Sequence, residues 1–351
     1  MKLNFLLIVS VLLFANIDFV EAQTDRVPVR IVQLESGVKA SFRGLAVRNP
    51  NEAWVTGSMG TVIRTTDAGR NWTRVTVPNS AELDFRDVAV LTDGTVLLMS
   101  IGNGNASRIM RSSDSGKTWK TVLTNNDANG FFDGMTFAPN DKSGVLFGDP
   151  INGRMDLYRT NDAGKTWTRV PEKQRPALKE GEYGFAASGS GVVMLGSNIW
   201  IATGGSVARI HHSPDTGKSW QTYATPIRSG NESSGIFSLE FLDPNNAVAI
   251  GGDYLKPDLH SNNVATSRDG GKTWTIAPGV PMKHKACVQS LGESRVLTCG
   301  RTGVAFSDNA GKSWSTITKD GYFTLAVDRN SGTGFLAGKD GRVARFELQI
   351  K

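Results

Sequence analysis

A chain of 351 residues with 39 Gly, 21% charged residues and a formal net charge of +6 carries many turns and many buried strand faces, which excludes a charged disordered tail. Only four His and two Cys are present, without a cluster at ligand spacing, so neither a zinc site nor a disulfide scaffold is indicated and no cofactor is implied.

Residues 1–22 hold Lys2, an apolar run from Leu3 to Ala15 and Val20-Glu-Ala22, the pattern of a secretory signal peptide cleaved after Ala22. The run is too short to span a bilayer, and no later segment is apolar enough to do so. Residues 23–351 are therefore expected to be one exported domain without a transmembrane segment, periplasmic or extracellular. Loss of Lys2, Asp18 and Glu21 raises the net charge to +7. Export and a diffuse basic surface argue against nucleic acid as partner.

Residues 28–34 read as a strand with no neighbour in sequence. Next comes a four-strand unit at 42–48, 52–57, 61–65 and 72–77, with Asn-Pro and Gly-rich breaks. Similar units follow at about 84–124, 130–171, 182–228, 234–280 and 283–318. A seventh, at 322–328, 334–338 and 341–346, stops after three strands. Each of the first six carries a Ser/Thr-x-Asp-x-Gly-x-x-Trp turn, with Asp67, Asp114, Asp162, Asp215 and Asp269 at the acidic position and Asn309 in the sixth copy. The tryptophans recur after 47, 48, 53, 54 and 40 residues, the period of a propeller blade. The expected fold is an all-β, seven-bladed propeller of four-stranded antiparallel blades, closed by pairing the N-terminal strand with the unfinished seventh blade.

The repeated turn resembles the Asp-box, or bacterial neuraminidase repeat, and the resemblance implies a structural hairpin at the outer rim: Asp bonds loop amides, Gly takes a strained conformation and Trp packs inward. The Gly-Lys-Thr inside it is not a phosphate loop, because a hairpin and not a helix follows. His211-His212, just before one turn, is expected to face solvent. Cys287 and Cys299 fall on adjacent strands of the sixth unit, where a disulfide and a pair of unbonded buried thiols are both compatible with the hairpin.

Function is sought at the channel mouth, where binding loops concentrate. The innermost strands are read as starting at Phe42-Arg43-Gly44, Phe85-Arg86-Asp87, Phe132-Asp133-Gly134, Tyr183-Gly184-Phe185, Ile236-Phe237-Ser238, His284-Lys285-Ala286 and Tyr322-Phe323-Thr324. Arg43, Arg86, Lys285 and Arg301 either converge on a basic mouth able to fork a carboxylate or pair with local acids such as Asp87, Asp133 and Glu182. Asp133, Glu182, Tyr183 and Tyr254 complete the candidate site. Two inserts, 148–156 and 251–262, are expected to be loops that shape it, and 180–189 is a Gly/Ala-rich approach.

A sialidase-type glycoside hydrolase needs arginines, a Tyr activated by Glu and an acid/base Asp. The chain offers Arg, Glu182, Tyr183 and Tyr254, but the Arg-Ile-Pro start of that family is absent, Arg30-Ile-Val being nearest. Across nearly all of residues 23–351 the chain resembles the photosystem II stability and assembly factor family and its bacterial relatives, with Trp54-Val-Thr-Gly57, Gly60-Thr-Val-Ile-Arg64 and Thr65-Thr-Asp-Ala-Gly69 as matching motifs. That resemblance implies a non-enzymatic scaffold for membrane-protein assembly intermediates, lumenal in a photosynthetic host, with Arg43, Arg86 and Arg301 as a basic contact patch. The expected function is recognition of a protein or peptide at the mouth; a glycoside hydrolase and a glycan-binding module are the alternatives.

Overall fold

Short apolar runs alternating with Gly and Asn turns fold into seven antiparallel sheets in this computed structural model, which describes residues 28–277 and 282–349. The expected signal peptide, residues 1–22, lies outside the described residues. Blade one is Phe42–Asn49, Glu52–Gly57, Val62–Thr65 and Thr73–Arg74, innermost strand first. Blades two, three, five and six repeat this order from Asp84–Val90, Phe132–Phe137, Ser234–Phe241 and Cys287–Gly292. Blade seven runs Thr324–Asp328, Thr333–Ala337 and Val343–Leu348, and Val29–Leu34 supplies its outer strand in antiparallel register from Val29↔Leu348 to Leu34↔Val343. The described residues thus form the expected closed ring.

The apolar core is not central. It is divided among the seven seams between blades: Phe42 packs with Phe335 and Val343, Trp54 with Phe85 and Leu98, Leu97 with Phe132 and Leu146, and so on around to Cys287 with Tyr322 and Phe346. Each blade presents one face to its predecessor and one to its successor, so both faces are apolar and the strands read as continuous hydrophobic runs.

The six repeated turns weld these seams. In blade two the Ser112 hydroxyl donates to Asp114 Oδ1 at 2.7 Å, the Lys117 and Thr118 amides donate to the same oxygen at 3.0 and 2.9 Å, and the Thr118 hydroxyl donates to Oδ2 at 2.6 Å. These bonds, that from the Thr118 hydroxyl foremost, hold the Asp114 carboxyl far below the usual range. Asn309 preserves the pattern by reversing one bond: its amide donates to Ser313 Oγ at 2.7 Å while Oδ1 accepts from the Ser313 amide. Two successive residues here are left-handed, Ser115 at φ 58° and Gly116 at φ 86°, whereas the sequence motif flags only the glycine.

Gly116 also touches the preceding blade. A Cβ there would fall 2.8 Å from the ring of Trp54, which is fully buried and cannot yield. We expect Gly116→Ala to cost about 2–4 kcal/mol, combining left-handed strain with overpacking. Gly292→Ala, left-handed but facing open space, should cost about 1 kcal/mol; urea denaturation of both variants measures the difference.

Blade four departs from expectation. Its innermost strand is Val192–Leu195, not the segment at 183. Glu182–Tyr183 instead pairs with Gly204–Gly205, whose Gly204 pairs with Gly235 of blade five. Residues 184–191 then cross the channel beneath the mouth. Arg86 of blade two donates to the Ala186 carbonyl at 3.1 Å, Ser188 donates to the Ala286 carbonyl of blade six at 2.8 Å, and Ser190 meets Ser238 of blade five at 2.7 Å. Small residues are required: a Cβ on Gly189 would fall 2.3 Å from Asp87 Oδ1. This segment is a plug.

Candidate site at the channel mouth

Above the plug lies a cavity of about 340 Å³ to which the plug itself and six of the seven blades, all but blade four, contribute. The phase of the innermost strands decides which side chains enter it. Phe42, Phe85, Phe132, Ile236 and Tyr322 are buried in the seams, and the residue after each faces the mouth: Arg43, Arg86, Asp133, Phe237 and Phe323.

Three guanidinium groups share the cavity. Arg43 lies over the Phe323 ring, 4.0 Å from its centroid, with Nε buried and without an acceptor. Burial, then the like charges of Arg86 and Arg301, lowers it to about 10. Arg86 pairs with Asp84 at 2.9 Å, not with Asp87. Arg301 donates to the Tyr254 carbonyl at 3.3 Å. Among the described residues neither Arg43 nor Arg301 has an acidic partner.

The facing wall is aromatic. Phe185 of the plug stacks on Phe237 at 4.1 Å; Tyr183, Tyr254 and His284 meet this pair edge-on. His284 is buried with both ring nitrogens unpartnered, and burial together with Arg301, Lys285 and Arg43 pushes it down to about 3, so it is neutral. On the third side stand Asp133 and Asp149.

Arg43, Arg86, Asp133, Tyr183, Tyr254 and Arg301 therefore converge as the sequence suggested. Two expected members do not. Lys285 takes the position that Phe42 and Tyr322 occupy in their blades: the amides of all three donate to the carbonyl of a glycine at or near the end of the second strand of the preceding blade, Gly251, Gly338 and Gly300 respectively. This one-residue change of phase buries Lys285, whose Nζ donates to Thr302 Oγ1 at 2.9 Å, and leaves Ala286 at the mouth. Burial lowers the Lys285 ammonium to about 8.

Glu182 points away from the cavity and is fully buried, accepting from Thr203, Arg209, His211 and the Lys179 amide. The Tyr183 hydroxyl donates instead to the Glu232 carbonyl, so the Tyr–Glu couple that a sialidase would need is not assembled. His211 and His212 are buried rather than solvent-facing, the first on Glu182, the second stacked on Trp200 at 4.7 Å with Nε2 at 2.9 Å from Asn198 Oδ1.

The inserts contribute one lining residue each. Residues 148–156 are mostly paired, with Gly148↔Asp156 and Ile151↔Arg154 around an Asn152-Gly153 turn, and bring Asp149 to the mouth. Residues 251–262 bring Tyr254. Phe185, Phe237, His284 and Phe323 fall at the strand starts expected at the mouth, and Asp149 in an insert expected to shape it, but none of them stood among the candidate site residues; the strand phase set by Phe42-Arg43 and Phe85-Arg86 singles out Phe237 and Phe323. Cys287 and Cys299 stand opposite one another in register, both buried and free, with the Cys287 thiol also at 3.5 Å from Ser190 of the plug.

A sequence model of the sortilin and neurotensin receptor 3 (Vps10) family matches residues 107–235. No curated protein matches the chain in sequence. Among solved structures, YCF48 bound to D1 peptide is similar over 92% of this chain and 97% of its own at 14% identity and a TM-score of 0.65. YCF48 from Cyanidioschyzon merolae gives 90% and 98% at 16% identity and 0.65, and the WD40 domain of Neurospora crassa Pan2 gives 89% and 90% at 12% and 0.60. At these identities the likeness establishes the propeller fold. Among the described residues no helix is long and apolar enough to cross a membrane.

Proposed function

We propose that this chain is an exported, non-enzymatic propeller that binds a protein or peptide partner at its channel mouth. One observation carries the reading: Arg43, held over Phe323 with an unpartnered Nε, shares a cavity with Arg301, and among the described residues neither has an acidic partner. A guanidinium kept half-buried at a cost in hydration, beside two like charges, is suited to an incoming carboxylate. The plug makes the cavity blind, so a chain end or a loop tip fits it better than a strand threaded through. The likeness to a propeller solved with a bound peptide supports a peptide ligand, and a membrane-protein segment awaiting assembly is the partner class we carry forward.

Arg43→Gln with Arg301→Gln should weaken capture of partners from a native extract by at least about 100-fold, since each charge-assisted contact is worth about 1.5–3 kcal/mol. Unchanged capture by the double variant, with an unshifted melting temperature, would move the site elsewhere. Turnover of fluorogenic sialosides or β-glucosides that Tyr183→Phe abolishes would establish the hydrolase instead.

A further inference from the structure

We propose that the mouth is bipolar: Asp133 and Asp149 form a subsite for an ammonium or guanidinium group, so that the bound peptide presents a cation beside its carboxylate. The inference rests on the mouth being the binding site and names the chemistry of its occupant. Asp133 comes from the innermost strand of blade three, Phe132–Phe137, and Asp149 from the next, Gly144–Ile151. Both line the cavity. Asp133 is only 3% exposed, and its Oδ2 and the Oδ1 of Asp149 are buried with no donor from the rest of the described residues. Among the described residues neither carboxyl has a basic group within 4.0 Å, and Arg86, paired with Asp84, acts on Asp133 only from farther off. The Gly184 amide faces Asp149, but one N–H cannot serve two carboxyl groups.

Burial and the neighbouring Asp149 raise Asp133 well above its ordinary range, and burial raises Asp149 as well. Two carboxyls in contact in such a setting do not both ionise; near neutral pH they share one proton. Arg86 of blade two and Tyr183 at the root of the plug are the charged and titratable groups facing the pair, and both are engaged: Arg86 by Asp84 and Ala186, Tyr183 by the Glu232 carbonyl. Arg43, Arg301, His284 and Glu232 line the remaining walls. A ligand ammonium brings three donors. On entering it displaces the shared proton to solvent, converting an acid–carboxylate pair into two carboxylates and one cation with the same net charge. Desolvation therefore costs less than seating a cation against a neutral wall. The rings of Phe131, Tyr183 and Phe185, which line the same space, suit the methylene stem of a lysine.

The pair could instead serve only to pin Gly184 and the plug, and calorimetry on the intact protein separates the two roles. The probes are acetyl-Ala-Ala-Ala-Lys with a free carboxylate, its norleucine counterpart, which keeps the stem and lacks the charge, and its C-terminal amide. At pH 7.5 the lysine peptide should bind at least about tenfold more tightly than the norleucine peptide, each tenfold being 1.4 kcal/mol. Protons should be released on binding, the preference should shrink towards pH 5.5, and it should fall to near unity in Asp149→Asn. Equal binding of the lysine and norleucine peptides, with the amide weaker, overturns the cation subsite and leaves the mouth standing. Equal binding of acid and amide, or no binding of any probe, overturns the mouth reading itself. Saturable binding of Ca²⁺ or Mg²⁺ alone, lost in Asp149→Asn, would assign the pair to a metal and overturn the proposal.

Discussion

Glu182→Ala should destabilise the fold by about 3–5 kcal/mol, the cost of removing one partner from a buried charge network. Its Oε1 accepts from Thr203 Oγ1 at 2.6 Å, Arg209 Nε at 2.9 Å and His211 Nε2 at 3.1 Å, while Oε2 accepts from the Lys179 amide at 2.9 Å and from Arg209 Nη2. Alanine would take the carboxylate from the largely buried Arg209, leaving its Nη2 only the Ala177 carbonyl at 3.2 Å, and from the buried His211, leaving it only the hydroxyls of Thr222 and Thr203. Burial alone would raise the Glu182 carboxyl, but the hydrogen bonds from His211 and Arg209 outweigh it and hold it down at about 2, against 4.5 for a free side chain. The stabilisation is therefore fully present above about pH 4.5 and is lost as the pH falls towards 2. Glu182→Gln keeps an acceptor oxygen and loses the charge, so its stability should fall less steeply over that interval than the wild type's. Tryptophan fluorescence in urea across pH 2–7 measures both effects. Since Glu182 faces away from the mouth, ligand capture at neutral pH and 25 °C should survive as long as the variant is folded. A parallel loss of capture in well-folded Glu182→Gln would return this residue to the binding site.

Glu182 also shows where sequence ceased to be informative. The blades, their number and their closure were legible because a turn that must supply a side-chain acceptor oxygen and a left-handed glycine leaves a fixed signature, repeated six times from Asp67 to Asn309. The positions of Arg43, Arg86 and Asp133 followed from strand alternation, since each comes one residue after a buried aromatic. The same logic failed where the phase changed: Lys285 occupies the seam position and Ala286 the mouth, and no local pattern marks that exchange. It failed again at 182–191, where Tyr183-Gly184-Phe185 imitates a strand start. The real innermost strand begins at Val192, and the intervening Gly, Ala and Ser residues are small because inner strands of four other blades crowd them. Small side chains record lack of space without recording its cause. Asp133 and Asp149 are recognisable as a pair only in three dimensions, because pairing Gly148 with Phe132 is what brings together two carboxyls sixteen positions apart in sequence.

Removing residues 23–35 should abolish the folded monomer, a larger effect than any single substitution considered above. Val29–Leu34 pairs along its whole length with Val343–Leu348. It buries Val29 in the seam between blades six and seven, and Leu34 in the seam between blades seven and one. Leu34 also fills the space beside Gly69 of blade one's turn, and Gln33 bonds the fully buried Tyr322. Among the described residues this strand is thus the only outer strand of a blade that is distant in sequence from its partner, and it closes a ring whose core lies in the seams between blades. Without it, Val343–Leu348 becomes an apolar edge with a row of unpaired amides and carbonyls, a template for pairing between chains. The truncated chain should therefore form soluble oligomers or precipitate, read by light scattering and by loss of a cooperative melting transition. A synthetic peptide of residues 28–36 should restore the monomer in trans, because blade seven would regain the same register by intermolecular pairing. Val32→Lys in the intact chain, at a position 44% exposed on the outer face, should change stability by less than about 0.5 kcal/mol. A monomeric, cooperatively melting truncation would mean that three strands suffice for blade seven and that closure contributes little, because the seams alone would then be holding the ring.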